Sequence, residues 1–371
     1  MITMDERIAA VARLGFTERQ ARFLDLVMVY GGLCVPRQYA TFAGTAYGHT
    51  VSRFFDKLVR GGYATVSDCL HSRAELYHVR HRALYRAIDQ PDSRYRRPVP
   101  ARHVVDRLMR LDAVVLQPEL IWLATEEEKV AFFSLMAPSF PRERLPHVVV
   151  GQGAGGRLRL FPDDQPVGVT TTGRVVFTYL VTAWETAALR AFVQRHADLL
   201  RALPGWTLRL VLPQQLADSA PRFEGAVRDE LTPLRPQLLA ELKWYFAKRR
   251  GTPNPRALSF EDPEFWEHQA AFSSPRFQQL YRRWLTDGDT AFEAVASPVL
   301  TDALERGTGT IESRSLLLSY RHLAPLVSLF RSRRKGVEGG DTWSAPSQPP
   351  PATAPSGSAD ATVADSTPPR I

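Results

Sequence analysis

A polar and cationic stripe runs along residues 46–60, where the sequence predicts a helix. Thr50, Arg53, Lys57 and Arg60 recur every three or four residues, so they share one helical face. The opposite face is apolar and is expected to be buried: Val51, Phe54, Phe55 and Leu58. Because Arg and Lys bind phosphate and Arg also makes forked contact with guanine, the cationic face predicts insertion into the major groove of DNA.

A loop between two predicted strands holds further candidates for DNA contact. The strands are Tyr63–Val66 and Glu75–Val79, and His71 and Arg73 lie between them. A hairpin that follows a cationic helix is typical of the wing of a winged helix-turn-helix. The predicted DNA-binding residues are therefore Thr50, Arg53, Lys57, Arg60, His71 and Arg73. Since winged helices also dock proteins, a protein-docking module is an alternative reading.

The other chemically suggestive group is a pair of carboxylates, Asp163 and Asp164. They follow a predicted strand, Arg157–Phe161, and precede a second predicted strand, Arg174–Thr182. In restriction-endonuclease-like cores an Asp after the first strand and an acidic-x-Lys motif on the second hold Mg²⁺ and activate water. The second strand has neither a carboxylate nor a Lys, and Glu185 is read as a helix-dipole partner. The site is therefore predicted to be inactive.

Structural roles are expected for three other groups of residues. Gly151–Gly156 lacks the ending of a P-loop and is read as a hairpin turn between strands. Cys34 and Cys69 are expected to pack as small apolar groups. Aromatic residues beside Arg and Lys near Trp244–Arg250 are read as core with a cationic rim, the alternative being stacking on single-stranded bases. No metal or cofactor is predicted.

Capping, Gly and Pro signals in the sequence predict the helices that position the cationic helix. Thr17–Gln20 has the form of a capping box and opens a helix that runs to about Tyr30. Gly31 and Gly32 break that helix, and Pro36 suits the first turn of the next, Arg37–Ala43.

The predicted fold class is α+β, in four parts. An N-terminal winged helix-turn-helix (1–90) precedes a central mixed α/β nuclease-like domain (101–215). A helical C-terminal region (220–335) and a disordered tail (336–371), rich in Pro, Ser, Ala and Thr, complete the chain. The Pro-punctuated stretch 89–100 is predicted to be a linker.

Composition favours a soluble, cytoplasmic protein with a polyanionic partner. Lys and Arg number 47 against 39 Asp and Glu, giving a net charge of +8. The first residues include Asp5, Glu6 and Arg7 where a signal peptide would need an apolar stretch. No apolar run approaches the roughly 20 residues that span a bilayer.

Several of these segments resemble the plasmid replication-relaxation family, over about residues 15–215. The segments that carry the resemblance are Thr17–Gln20, the predicted winged helix ending at Tyr77–Val79, Arg102–Asp106, Phe161–Asp164 and Glu185–Pro213. Such proteins belong to plasmids and integrative elements and combine a winged helix with a nuclease-like domain that often lacks catalytic residues. This sequence departs from the family at the second strand, where an acid is often found.

The leading hypothesis is a DNA-binding protein of a plasmid or integrative mobile element that acts in replication, transfer or its regulation without catalysis of its own. Its expected partners are double-stranded DNA and, through the second domain, either another copy in a homodimer or a protein of the replication or transfer machinery. No membrane partner is expected. The alternatives are a metal-dependent nuclease that uses Asp163 or Asp164 and a winged helix that docks proteins.

Overall fold

The computed structural model describes residues 2–69, 74–151, 156–251, 262–318 and 320, and the backbone of 331–332. These residues belong to one compact unit with a mixed α and β architecture. The predicted tail, 336–371, lies outside the described residues. Within the described ranges, no helix combines the length and the apolar character that crossing a bilayer requires.

The N-terminal part consists of short helices and a small sheet. In chain order its elements are α1 (Met4–Ala12), α2 (Glu18–Tyr30), β1 (Leu33–Cys34), α3 (Pro36–Ala43), α4 (His49–Arg60), β2 (Ala64–Asp68), β3 (Glu75–Val79) and α5 (Arg82–Ala87). Thr17 caps α2 and forms a reciprocal capping box with Gln20, as predicted. Helix α4 begins three residues later than the predicted 46, because Gly48 is extended and serves as its N-cap.

The strands of this part pair in the order β1–β3–β2, all antiparallel. A two-residue strand, Arg331–Ser332, adds to the free edge of β2. The helices bury a core of aromatic rings, in which the Tyr39 and Phe54 centroids lie 4.2 Å apart. Cys34 and Cys69 are buried and free of disulfides, as expected of small apolar side chains.

Helix α6 (Val104–Val115) connects these elements to the rest of the chain. The Gln38 amide donates to the Leu108 carbonyl at 2.9 Å, and the Arg107 guanidinium donates to the Gly31 carbonyl at 2.8 Å. The preceding segment 89–100 is not a free linker. Tyr95 is buried there, and its carbonyl lies 2.8 Å from Nε2 of His78. The linker prediction was wrong because the buried Tyr95 side chain attaches this Pro-rich segment to the fold.

A separate hairpin lies in the central part of the chain. Strands β5 (His147–Val150) and β6 (Arg157–Leu160) pair only with each other, antiparallel, with His147 opposite Leu160. The hairpin prediction is confirmed, although residues 152–155 of its turn lie outside the described residues. Strand β6 does not pair with the strand Val175–Leu180, which lies in a different sheet.

The main sheet has five strands in the order β10–β9–β8–β7–β4. They are β4 (Ile121–Leu123), β7 (Val167–Val169), β8 (Val175–Leu180), β9 (Trp206–Leu212) and β10 (Gly309–Ser315). Strands β4, β7 and β8 pair antiparallel in that order, and β8, β9 and β10 are parallel to one another. The helices that follow in the chain are α7 (Glu126–Met136), α8 (Ala187–Ala202) and α9 (Ala220–Leu231). Every residue of β9 is buried, as is usual for a parallel strand covered on both faces.

The C-terminal region is helical for most of its length but does not stand apart. Its further helices are α10 (Pro236–Arg250), α11 (Pro263–Ala271), α12 (Pro275–Asp287), α13 (Thr290–Ala296) and α14 (Val299–Glu305). Strand β10 then returns to the main sheet beside β9. The region predicted to be helical, 220–335, therefore also contains a strand, and this segment completes the sheet about a hundred residues after β9 in the chain.

Candidate nucleic-acid interface and the Asp163–Asp164 loop

Helix α4 is strongly two-faced. Its buried side chains are those that the sequence predicted: Val51, Phe54, Phe55 and Leu58. Thr50, Arg53, Lys57 and Arg60 are exposed on the solvent side. The structure thus places four of the six predicted DNA-binding side chains on one accessible face of one helix.

The cations of this face differ in how far they are already engaged. The Lys57 ammonium donates to the Gly15 carbonyl and lies 4.7 Å from the centre of the Phe16 ring. It therefore ties α4 to the loop between α1 and α2. Arg53 has neither an ion pair nor a hydrogen bond to any part of the chain that the structure describes, so its guanidinium is the freest donor on the face.

Arg60, at the last turn of α4, forms a loose ion pair with Asp56. The two charged groups are 3.6 Å apart, and the Arg60 side chain is 82% exposed. Pairs of this kind on a helix surface contribute only about 0.3–0.5 kcal/mol. A phosphate could therefore replace Asp56 as the partner of Arg60 at little cost.

Sequence reasoning missed Tyr47, which lies in the turn just before α4. Its side chain is 65% exposed, although it is large and aromatic. Recognition helices contact bases mainly through their N-terminal residues, so an aromatic ring at this point is well placed for such a contact. An isolated Tyr in a Gly-Thr-Ala-Tyr-Gly segment gives no periodic signal, because its exposure depends on how the turn leaves α3.

The predicted wing is formed by β2 and β3, which pair from Ala64 opposite Val79 to Asp68 opposite Glu75. His71 and Arg73 fall in residues 70–73 and lie outside the described residues, so their contacts are not assigned. The hairpin itself follows α4 directly, through the turn at Gly61 and Gly62.

The carboxylates of the Asp163–Asp164 loop are both held by arginines. Asp163 forms a two-pronged ion pair with Arg195 of α8, in which Nε lies 3.0 Å from Oδ2. Asp164 pairs with Arg94 and, at 3.1 Å, with Arg159.

The electrostatic surroundings keep Asp164 ionised. Burial acts to raise the pKa of Asp164, but the charges of Arg110, Arg94 and Arg159 outweigh it, and the pKa lies below its ordinary value. The oxygens of both Asp side chains thus already accept bonds from protein cations, which would compete with metal coordination.

The remaining parts of the expected metal site are not brought to this loop. Strand β8 reads Val-Val-Phe-Thr-Tyr-Leu and has no carboxylate to offer. Glu185 is exposed just before α8. In the described ranges, no group of three or more His, Cys, Asp and Glu side chains is arranged to hold a metal ion.

The aromatic and basic residues of α10 stack on their own chain. Tyr245 and Phe246 are buried. Lys248 lies 4.9 Å from the Trp244 ring centre, Arg249 lies 4.2 Å from that of Tyr281, and Arg250 lies 5.7 Å from that of Trp284. These ring faces are covered by the protein's own cations, which is the arrangement of a core with a cationic rim.

A scan against protein-family models and searches of curated proteins and of solved structures found no match to the chain. The resemblance to the replication-relaxation family therefore depends on short motifs alone.

Proposed function

We propose that the N-terminal part is a winged helix that binds duplex DNA, with α4 as the recognition helix. The observation that carries the proposal is the exposed face formed by Thr50, Arg53 and Arg60 on a helix whose other face is buried. The order α2, β1, α3, α4, β2, β3 and the β1–β3–β2 sheet support it, because winged helices follow this order.

The proposal includes a role in a mobile genetic element without catalysis. Its supports are the resemblance to the replication-relaxation family and the ion pairs that occupy Asp163 and Asp164. DNA binding would then serve replication, transfer or their regulation. The net charge of +8 is consistent with a phosphate-rich partner.

The test is fluorescence anisotropy with a labelled random-sequence duplex at about 50 and about 200 mM salt. Arg53→Ala removes a cation that has no partner elsewhere in the described chain, so folding should be unaffected. We expect it to weaken duplex binding roughly tenfold and to lower the salt slope by about one. Arg222→Ala, which removes an exposed cation from α9, is the matched control and should bind as the wild type does.

Lys57→Ala sharpens the test within α4. The Lys57 ammonium is held by the Gly15 carbonyl and the Phe16 ring. Loss of the Lys57 side chain should therefore lower the stability of the protein more, and its DNA affinity less, than Arg53→Ala does. Duplex binding that is absent, or that Arg53→Ala leaves unchanged, would contradict the proposal. Salt-insensitive capture of a protein by the same face would instead identify a docking module.

A further inference from the structure

A cavity of about 280 Å³ lies where four elements meet: the end of α2, the turn at 94–96, the start of α7 and the Asp163–Asp164 loop. Its lining includes two tyrosines, Tyr30 and Tyr95, and five charged residues: Arg94, Glu126, Lys129, Arg159 and Asp164. None of the described residues of α4, β2 and β3 lines it. The cavity is thus separate from the proposed DNA interface.

Three donor groups at or beside this cavity carry protons that no acceptor takes in the described structure. The Tyr30 hydroxyl and the Nε of Arg110 are buried without a hydrogen-bond partner in the described structure. Lys129 is buried, and its ammonium donates only to the Gln165 carbonyl, at 3.3 Å, although it carries three protons. A buried donor left unpaired costs about 1–3 kcal/mol, so this arrangement calls for a molecule rich in acceptors.

The charge around the cavity favours an anion. Arg94, Lys129 and Arg159 line it against the two carboxylates of Glu126 and Asp164. Arg110 adds a further positive charge that acts on both Asp164 and Lys129. Glu128, the other acid near Lys129, is already held by Arg7. The excess positive charge is partly shielded from water. Its Coulombic attraction to an anion is therefore stronger than it would be at the surface.

The backbone of the wall is strained. Phe161 and Asp164 both line the cavity and have φ values of 45° and 54°, in the left-handed region that Asp adopts more readily than most residues but that a bulky ring such as Phe161 rarely adopts. Such residues cost on the order of 1 kcal/mol or more each and cluster at ligand sites. Here the strained turn brings the Asp164 carboxylate to Arg94 and Arg159, and so fixes the direction of both guanidinium groups.

We propose that this cavity binds a small tetrahedral oxyanion of the phosphate type, free or as a monoester. Lys129 and the Tyr30 hydroxyl are the donors, and Arg94 and Arg159 form the cationic wall. The oxyanion offers acceptors only, and therefore satisfies the unpaired donors and balances the excess charge together. Burial lowers the pKa of Lys129 to about 8, so the ammonium is still mostly protonated at neutral pH.

The test is isothermal titration calorimetry of the full chain with inorganic phosphate and with sulfate, at ionic strength held constant with chloride. Lys129→Met keeps the length of the side chain and removes the charge, and should weaken binding more than tenfold. Tyr30→Phe removes only the unpaired hydroxyl and should weaken binding about fivefold without loss of thermal stability. Lys243→Met, which removes an exposed cation from α10, is the control and should bind as the wild type does.

Sulfate keeps its charge from pH 7 to 9. Its affinity should fall over this range because Lys129 loses its proton. The charged groups that act on Lys129 are Asp164, Glu126, Glu128 and Arg110. Glycerol 3-phosphate, a phosphate monoester, distinguishes the two forms of the ligand. If it binds more tightly than inorganic phosphate, the ligand is a phosphorylated metabolite. If the two bind equally, the ligand is free phosphate. The proposal is overturned if neither anion binds, or if Tyr30→Phe and Lys129→Met bind as the wild type does.

Discussion

His196 shows at the residue scale how the interior of the central part controls ionisation. Its ring lies 4.1 Å from that of Phe192, 5.3 Å from that of Phe177 and 6.3 Å from that of Phe161, measured between centres. Nδ1 lies 2.9 Å from the Phe192 carbonyl. Burial lowers the pKa of His196 to about 4, so the folded protein holds this imidazole in its neutral form near neutral pH.

His196 should make stability depend on pH in the acid range. In the unfolded chain the imidazole takes up a proton near its ordinary pKa of about 6.5, whereas the folded state resists until about 4. The unfolded state therefore binds more protons between these values, and stability falls as pH decreases through this window. By about pH 4.5 the loss should reach roughly 2–3 kcal/mol relative to pH 7, measured by urea unfolding.

The variant His196→Leu isolates this effect from the carboxylates, which also titrate in acid. Asp163, Arg195 and Lys129 are the charged groups that act on His196, and they are unchanged in the variant. The wild type should lose roughly 2–3 kcal/mol more than His196→Leu between the two pH values. Parallel pH profiles for the two proteins would show that His196 is protonated in the folded state.

At the scale of elements, the edge of the main sheet depends on a close approach between β10 and β9. Gly309 begins β10 opposite Trp206, whose side chain is 1% exposed. A Cβ added at Gly309 would lie 2.5 Å from the indole ring. The absence of a side chain at Gly309 therefore allows the strand to lie directly over a large fixed ring.

Gly309→Ala should destabilise the protein by about 2 kcal/mol, because the buried indole cannot move aside without loss of packing. Two glycines give matched controls in thermal or urea unfolding. At Gly205 the nearest atom to an added Cβ is 3.6 Å away, and Ala should be tolerated. At Gly225, within α9, nothing lies within 4 Å, and Ala should stabilise the helix by about 0.5–1 kcal/mol. Equal stabilities of Gly309→Ala and Gly205→Ala would contradict the packing argument.

At the scale of the whole molecule, Asp112 of α6 joins parts that are far apart in the chain. The Arg37 guanidinium of α3 donates to both Asp112 oxygens, at 2.6 and 2.8 Å. The Tyr320 hydroxyl donates to the same carboxylate at 2.5 Å. This cluster links the N-terminal part to the segment that follows β10.

Asp112→Ala should lower the free energy of unfolding by about 3 kcal/mol, because it leaves Arg37 and the Tyr320 hydroxyl without their acceptor in a largely buried place. Tyr320→Phe removes one hydrogen bond and should cost about 1 kcal/mol. Glu119→Ala, at an exposed position, is the control and should change stability by less than about 0.5 kcal/mol. If Asp112→Ala were as stable as Glu119→Ala, the cluster would not hold the parts together.

The sequence by itself determined the features that depend on neighbours in the chain. The capping box at Thr17, the two faces of α4 and the β5–β6 hairpin follow from spacings of a few residues. Local hydrogen bonds and the helical period leave a readable pattern, because the residues involved are adjacent in the helix or turn that they form.

Tertiary structure alone decided how the candidate groups are used. Arg195 lies 32 residues from Asp163, and Arg94 reaches Asp164 from a segment predicted to be a linker. Lys57 meets Gly15 across 42 residues, and β10 joins β9 with seven paired residues although its Gly-Thr-Ile-Glu-Ser-Arg-Ser sequence has little apolar character. These contacts depend on which surfaces meet after folding. The energy of an ion pair or of a strand pairing depends on both partners, so the local sequence around either partner does not predict it.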